Sequence, residues 1–477
     1  MNVRTRNLLA ACKSLENAAN KMTKWRPKFH LSPKVGWMND PNGLCQFNGK
    51  YHIFFQYSPF DTKPGLNYWG HFTTEDFVNY DYLSPALCSD ENFDCHGVYS
   101  GSALVSDNKL HLFYTGNVKL SGNEFDYVTS GREHNTIHAV SDDGVIFDTK
   151  KVVLKNSDYP STVTCHVRDP KVYNFGDGYI MLLGARSIND SGEILIYRSS
   201  DLNNWKFSGT ISSDRPFGYM WECPDLIESN GKLFICFSPQ GIKEDGFRFN
   251  NIYQSGYAPI IGDFPNNCKI GEFTEFDCGF DFYAPQTFID EQKRRILIGW
   301  AGLPDLDGIY VNPTEEYNWV HCLTVPRVIT EKDGKLLQNP ADELKKLRKN
   351  SLKSEINGEF YADSSDVFEA EIQMSESQNA IIEIKDSCTM KYINNVFMLS
   401  LNSSGCGRKN RSVKLERLDS IRILCDTSII EVFINGGEKV FTTRFYPDAN
   451  DKGIRLQNIK GAINIWQLDS FNIVERS

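Results

Sequence analysis

The stretch NDPNGLCQFNGKYHIFFQY, residues 39–57, returns in outline four more times before residue 302. A short polar signature opens a strand, a turn rich in Gly, Asp or Asn follows, and a strongly apolar strand closes the unit. The later copies are YSGSALVSDNKLHLFYTGN (99–117), RDPKVYNFGDGYIMLLGAR (168–186), ECPDLIESNGKLFICFSPQ (222–240) and YAPQTFIDEQKRRILIGWA (283–301). Their apolar strands begin at Tyr51, Leu110, Tyr179, Leu233 and Ile296, in steps of 59, 69, 54 and 63 residues. Steps of that size exceed a solenoid unit and suit a four-stranded propeller blade with generous loops. The spacing predicts five blades.

The repeat also superposes residues that are far apart in the chain. Asp40 lies 11 residues before its apolar strand, Asp169 10 and Glu222 11. In a radial array, equivalent positions sit equally far from the axis, so the three carboxylates are expected in one slot around one end of the central channel. Like charges that close are costly to gather without a purpose. Two carboxyl groups flanking a glycosidic bond supply one, as general acid and nucleophile.

Composition narrows the partners. At 477 residues the chain exceeds a single core, and two domains with a tail are expected. The net charge of −10 offers no basic face to nucleic acid and is repelled by an anionic membrane surface. A small uncharged or modestly charged ligand fits better, and 31 Phe, 21 Tyr and 8 Trp agree with a β-rich carbohydrate-handling protein. Thirteen cysteines, an odd number without paired spacing, argue for free thiols in a reducing, cytoplasmic setting. The dispersed histidines suggest no metal, and no organic cofactor is expected. No run approaches the roughly 20 apolar residues that span a bilayer.

The expected fold is all-β: a five-bladed β-propeller over 28–330, a linker over 331–350 and a β-sandwich over 351–477, preceded by a short helical extension over 1–27. Leu8, Ala11, Leu15, Ala18 and Met22 fall at helical spacing and read as the packed face of that extension, ended by Pro27. ADELKKLRKN (341–350) reads as a helical connector. Beyond it, short alternating strands return, and Asn435-Gly436-Gly437 reads as a hairpin turn.

WMNDPNG (37–43), RDP (168–170) and ECP (222–224) resemble the three hallmark motifs of glycoside hydrolase family 32, the invertases and fructan hydrolases. FFQY (54–57), YWGH (68–71), YSGS (99–102), FDFYAPQ (280–286), IGW (298–300) and EVFINGGE (431–438) extend the resemblance over nearly the whole chain from about residue 28. It is strongest toward bacterial sucrose-6-phosphate hydrolases, in YMWECPDL (219–226) and FSPQG (237–241).

The resemblance implies roles residue by residue. Asp40 is the expected nucleophile, forming a covalent fructosyl-enzyme, and Glu222 the acid/base. Trp221, Cys223 and Pro224 are expected to give Glu222 an apolar setting that keeps a proton ready for the leaving oxygen. Asp169 is expected to bind fructose hydroxyls and steady the charge growing at the anomeric carbon. Asn39, Gln56, Tyr99, Ser100 and Trp300 are the expected furanose contacts, with Arg168 an ion-pair partner beside Asp169 and Trp37 and Trp69 as pocket wall. The implied activity is retaining hydrolysis of sucrose 6-phosphate or sucrose. Fructan hydrolysis, an inverting arabinan or xylan hydrolase, and a non-catalytic fructan-binding protein stand as alternatives. For the sandwich, packing on the propeller or homodimer formation is the expected role.

Overall fold

In the computed structural model, which describes residues 3–19, 24–306, 308–363, 366–448 and 452–476, the second strand of the repeat is buried almost end to end. Lys50–Ser58 leaves only Lys50 short of full burial. Such a strand is covered on both faces by neighbouring blades, so it reads as a continuous apolar run instead of an alternation. The tight turns before these strands use left-handed backbone at Asn48-Gly49, Asp107-Asn108 and Asn230-Gly231, which Asn, Asp and Gly tolerate best.

The five copies form five antiparallel units. The first comprises Gly36–Phe47, Lys50–Ser58, Tyr68–Thr74 and Asn79–Leu87, and the second Val98–Ser106, Lys109–Lys119, Arg132–Ser141 and Thr149–Leu154. The third and fourth are linked at their outer edge, where Cys268–Ile270 pairs with Lys206–Ser212. The fifth takes its outer strand from Lys335–Pro340, within the stretch read as linker. Closure comes from Trp319–Val320, which pairs in parallel with Gly36 and Trp37 of the first blade. The architecture is the five-bladed propeller followed by a sandwich that the repeat implied.

Two readings of helix are corrected. Residues 341–350 carry only a 3-10 stretch, Asp342–Leu347, before Arg348 opens a long strand. The N-terminal helix, Val3–Asn17, buries Cys12, while Leu15 is 40% exposed and Ala11 and Ala18 face solvent. Met22 lies outside the described residues. Polar anchors set the rotation: the Glu16 carboxylate accepts hydrogen bonds from the buried hydroxyls of Tyr57 (2.8 Å) and Tyr82 (2.5 Å), and Thr5 donates to Asp90. Buried phenols need such acceptors, which apolar spacing does not register.

From Arg348 onward one ten-stranded antiparallel sheet folds on itself around Phe368, Ile382, Leu399, Ile423, Val432 and Phe441. Its hairpin Ile429–Ile434 to Lys439–Arg444 turns at Asn435-Gly436-Gly437, as expected. A Cβ at Gly437 would stand 1.8 Å from the carbonyl oxygen of Gln338, so the hairpin tip lies directly on the fifth blade. The final strand, Asn472–Glu475, pairs in parallel with the outer strand of the first blade.

Candidate active site

Every innermost propeller strand slips register at its polar signature. The slips fall between Met38 and Pro41, Tyr99 and Gly101, Arg168 and Lys171, Glu222 and Asp225, and Tyr283 and Gln286. A bulge breaks the alternation of faces and re-aims side chains. Asp169, Cys223 and Ala284 sit inside three of them with φ of 63°, 48° and 45°, backbone that L-residues adopt only when held there.

These registers correct the equal-slot argument. Arg168, Glu222 and Tyr283 are each the last paired residue before the slip, opposite Gly184, Ser238 and Trp300. Glu222 is therefore equivalent to Arg168, and Asp169 to Cys223. The three acids nonetheless meet, because bulged neighbours both reach the same space. The Cys223 thiol lies 3.7 Å from Asp40 Oδ2 and 3.7 Å from Asp169 Oδ2, and the Cys223 N–H donates to Asp169 at 3.0 Å. Arg168 donates to Glu222 from Nε (2.9 Å) and a terminal nitrogen (2.6 Å), and its Nε is 4.0 Å from Asp169.

The surroundings of Glu222 differ from the apolar setting expected. Its other oxygen accepts from Gln240 Nε2 (2.8 Å) and from the Tyr283 hydroxyl (2.5 Å). The bulge turns the carboxyl away from the ring of Trp221, which packs between blades against Phe237. Gln240 and Tyr283 were missed in the sequence, although Tyr283 opens the fifth copy at the place Glu222 opens the fourth.

Desolvation pushes the Asp40 carboxyl up to about 6, with Glu222 adding to the rise, while hydrogen bonds from Ser100 (2.5 Å) and Asn39 (3.1 Å) favour the ionised form. Burial likewise pushes Asp169 up to about 7, against the pull of Arg168 and with the push of Glu222 and Asp40. Because ionised Asp40 is the form stabilised by Ser100, Ser100→Ala is expected to move the acid limb of the kcat/KM profile to higher pH, by up to about one unit. An unmoved limb would separate that limb from Asp40.

The expected binding residues divide in two. Asn39, Ser100 and Arg168 lie at the cluster, Asn39 being fixed by the Trp37 indole N–H at 2.9 Å, whereas the Tyr99 ring faces His134 at 5.8 Å. Gln56 is buried and donates to the Val98 carbonyl. Trp300 is buried against Trp37, Tyr283 and His321, and its indole N–H makes no hydrogen bond among the described residues. Trp69 belongs to the core between the first two blades instead of a pocket wall, its N–H donating to the Tyr99 carbonyl. Asp225 is a structural tie: it accepts from Tyr173, the Thr287 N–H and Lys171, joining three blades. Among the described residues no group of three or more His, Cys, Asp or Glu is placed to hold a metal ion.

Comparison with known proteins covers both halves of the chain. The model described as glycosyl hydrolases family 32 N-terminal domain matches residues 30–340, and the family 32 C-terminal model matches 334–475. A sucrose-6-phosphate hydrolase of Bacillus subtilis is 40% identical over 88% of this chain and 89% of its own. A raffinose invertase of Escherichia coli is 34% identical over 93% and 94%. The structure of sucrose-6-phosphate hydrolase from Lactobacillus gasseri superposes with a TM-score of 0.87 at 29% identity, covering 97% of this chain and 96% of that one. A mutant Bombyx mori GH32 β-fructofuranosidase in complex with sucrose superposes at 0.81 with 28% identity, covering 99% and 100%. With both family models matched end to end and relatives of this identity along most of its length, the chain belongs to glycoside hydrolase family 32.

Proposed function

We propose that the protein is a retaining β-fructofuranosidase that hydrolyses sucrose 6-phosphate or sucrose through a covalent fructosyl-enzyme. The observation that carries this reading is the meeting of Asp40, Asp169 and Glu222, from three blades, around one thiol and one guanidinium. The relatives named for sucrose 6-phosphate hydrolysis support the substrate class.

In the first step Glu222 gives its proton to the glycosidic oxygen as the bond from that oxygen to C2 of fructose breaks, and Asp40 forms an ester to C2. Arg168, Gln240 and Tyr283 hold the Glu222 carboxyl at fixed orientation, so its proton is delivered along one line. Asp169 faces the positive charge that builds at C2, and its backbone partner, the Cys223 N–H, holds its oxygen in place. In the second step Glu222 takes a proton from water, the hydroxide attacks C2, and the ester to Asp40 breaks.

Two displacements leave the anomeric configuration unchanged. Proton NMR of the first product is expected to show β-fructofuranose before mutarotation. Initial α-product would mean a single inverting displacement, with the carboxyls about 6.5–9.5 Å apart, and would end this reading.

A further inference from the structure

One group of cationic side chains adjoins Arg168, the partner of Glu222. The Arg168 guanidinium donates to His166 Nδ1 at 2.9 Å, and His166 Nε2 donates to the Tyr127 carbonyl at 2.9 Å, which makes that imidazole neutral. Burial, with the guanidinium groups of Arg168, Arg132 and Arg186 adding to it, pushes His166 down to about 3. Next to it, His134 lies 5.7 Å ring to ring from His166 and 5.8 Å from Tyr99.

The negative partners do not balance these charges. Arg168 is taken by Glu222 and Asp169, and Arg186 by Asp190, whose side chain is 68% exposed. Arg132 has no ion-pair partner among the described residues, and its guanidinium meets His134 Nε2 at 3.3 Å. That contact makes Nε2 the acceptor, so Nδ1 of His134 carries the proton. This N–H is wholly buried without a hydrogen-bond partner, and so is Arg132 Nε–H. Unpaired buried donors beside an uncompensated guanidinium are costly unless an anion completes them. Lys63 and Arg248, two other cations, have carboxylate partners in Glu315 and Glu272.

We propose that Arg132 and Arg186, backed by His134 and His166, bind the 6-phosphate of the glucosyl leaving group and set the preference for the phosphorylated sugar. The proposal rests on the fructofuranosidase reading, because it takes Glu222 to mark where the leaving group departs. A guanidinium presents paired N–H donors that match a phosphate, and the exposed Asp190 yields to a dianion at little cost.

The test is kcat/KM on sucrose and on sucrose 6-phosphate for the wild type, Arg132→Ala, Arg132→Lys and Arg186→Gln. The wild type is expected to favour the phosphorylated substrate. Arg132→Ala is expected to reduce that preference by about 30-fold, a loss in the range for truncating one member of a close charge pair. Arg132→Lys, which keeps the charge but loses the fork, retains part of it and guards against a variant that fails to fold. Glucose 6-phosphate is expected to inhibit the wild type more strongly than glucose, and this advantage shrinks in Arg186→Gln. Equal losses on both substrates, or a wild type indifferent to the phosphate, overturn the proposal. A wild type inactive on both would instead overturn the fructofuranosidase reading.

Discussion

Asp40→Asn is expected to lower turnover by about four to six orders of magnitude while leaving the protein folded, the scale of loss when a catalytic nucleophile is removed. Asparagine keeps the shape of the side chain and its place beside Ser100 and Asn39 but cannot form the ester. The same substitution is expected to raise stability at pH 8. Burial holds the folded Asp40 carboxyl up to about 6, above its unfolded value, so its ionisation works against folding. The gain is full above pH 6, about 2 kcal/mol, and fades as pH falls through 4, below which the wild-type carboxyl becomes protonated in both states. Kinetics on sucrose with denaturant unfolding at pH 8 and pH 4 checks both parts. An active variant would remove Asp40 from the chemistry, and a variant less stable at pH 8 would refute the charge-strain argument. Glu222→Ala belongs to the same experiment, with natural substrate hydrolysis falling comparably.

The second large effect concerns the joint between propeller and sandwich. Glu431, fully buried on the sandwich hairpin, accepts from Arg327 at 2.6 and 2.9 Å, from His30 Nε2 at 3.0 Å and from the Val325 N–H at 2.8 Å. His30 reaches Asp426 with its other nitrogen at 2.9 Å, and Arg327 also meets Asp277, Gln338 and Thr442. Burial alone would lower the His30 pKa, but the two carboxylates hold it above its ordinary value. Glu431→Ala leaves the buried Arg327 cation with Asp277 as its remaining carboxylate and His30 without one of its two acceptors, and is expected to cost about 3–5 kcal/mol. Replacing both partners, as Arg327→Met with Glu431→Leu, is expected to restore only part of that loss, because it leaves the buried Asp277 carboxylate without its cation. The His30 contribution is present below about pH 6.5 and is lost as pH rises through its raised folded value, so the wild type itself is expected to lose some stability on the alkaline side. A Glu431→Ala protein within about 1 kcal/mol of wild type in denaturant unfolding would show that packing alone holds the joint.

The site was legible in part, and the divide follows the physics of each signal. The resemblance singled out Asp40, Asp169 and Glu222, and the repeat brought them to one place, but counting residues from the apolar strands set Glu222 opposite Asp169. The register makes it equivalent to Arg168, since a bulge adds a residue to one strand and none to its partner. Gln240 and Tyr283 passed unnoticed because each acts through Glu222, 18 and 61 residues away, and single polar residues at strand ends carry no period. The helix at the N-terminus shows the same limit: its apolar spacing pointed to one face, and hydrogen bonds to two distant tyrosines selected another.

What the chain's order of residues determined alone is the five-fold repeat, its tight turns, the sandwich hairpin at Asn435-Gly436-Gly437 and the acids carried by three separate blades. Those features rest on local patterning, in which each residue is read against neighbours a few positions away. The tertiary structure alone decided which atoms meet. Closing the sheets into a ring brings together residues separated by 54 positions or more, such as Arg168 and Glu222 or Glu222 and Tyr283, and that geometry depends on bulges and curvature summed over every blade.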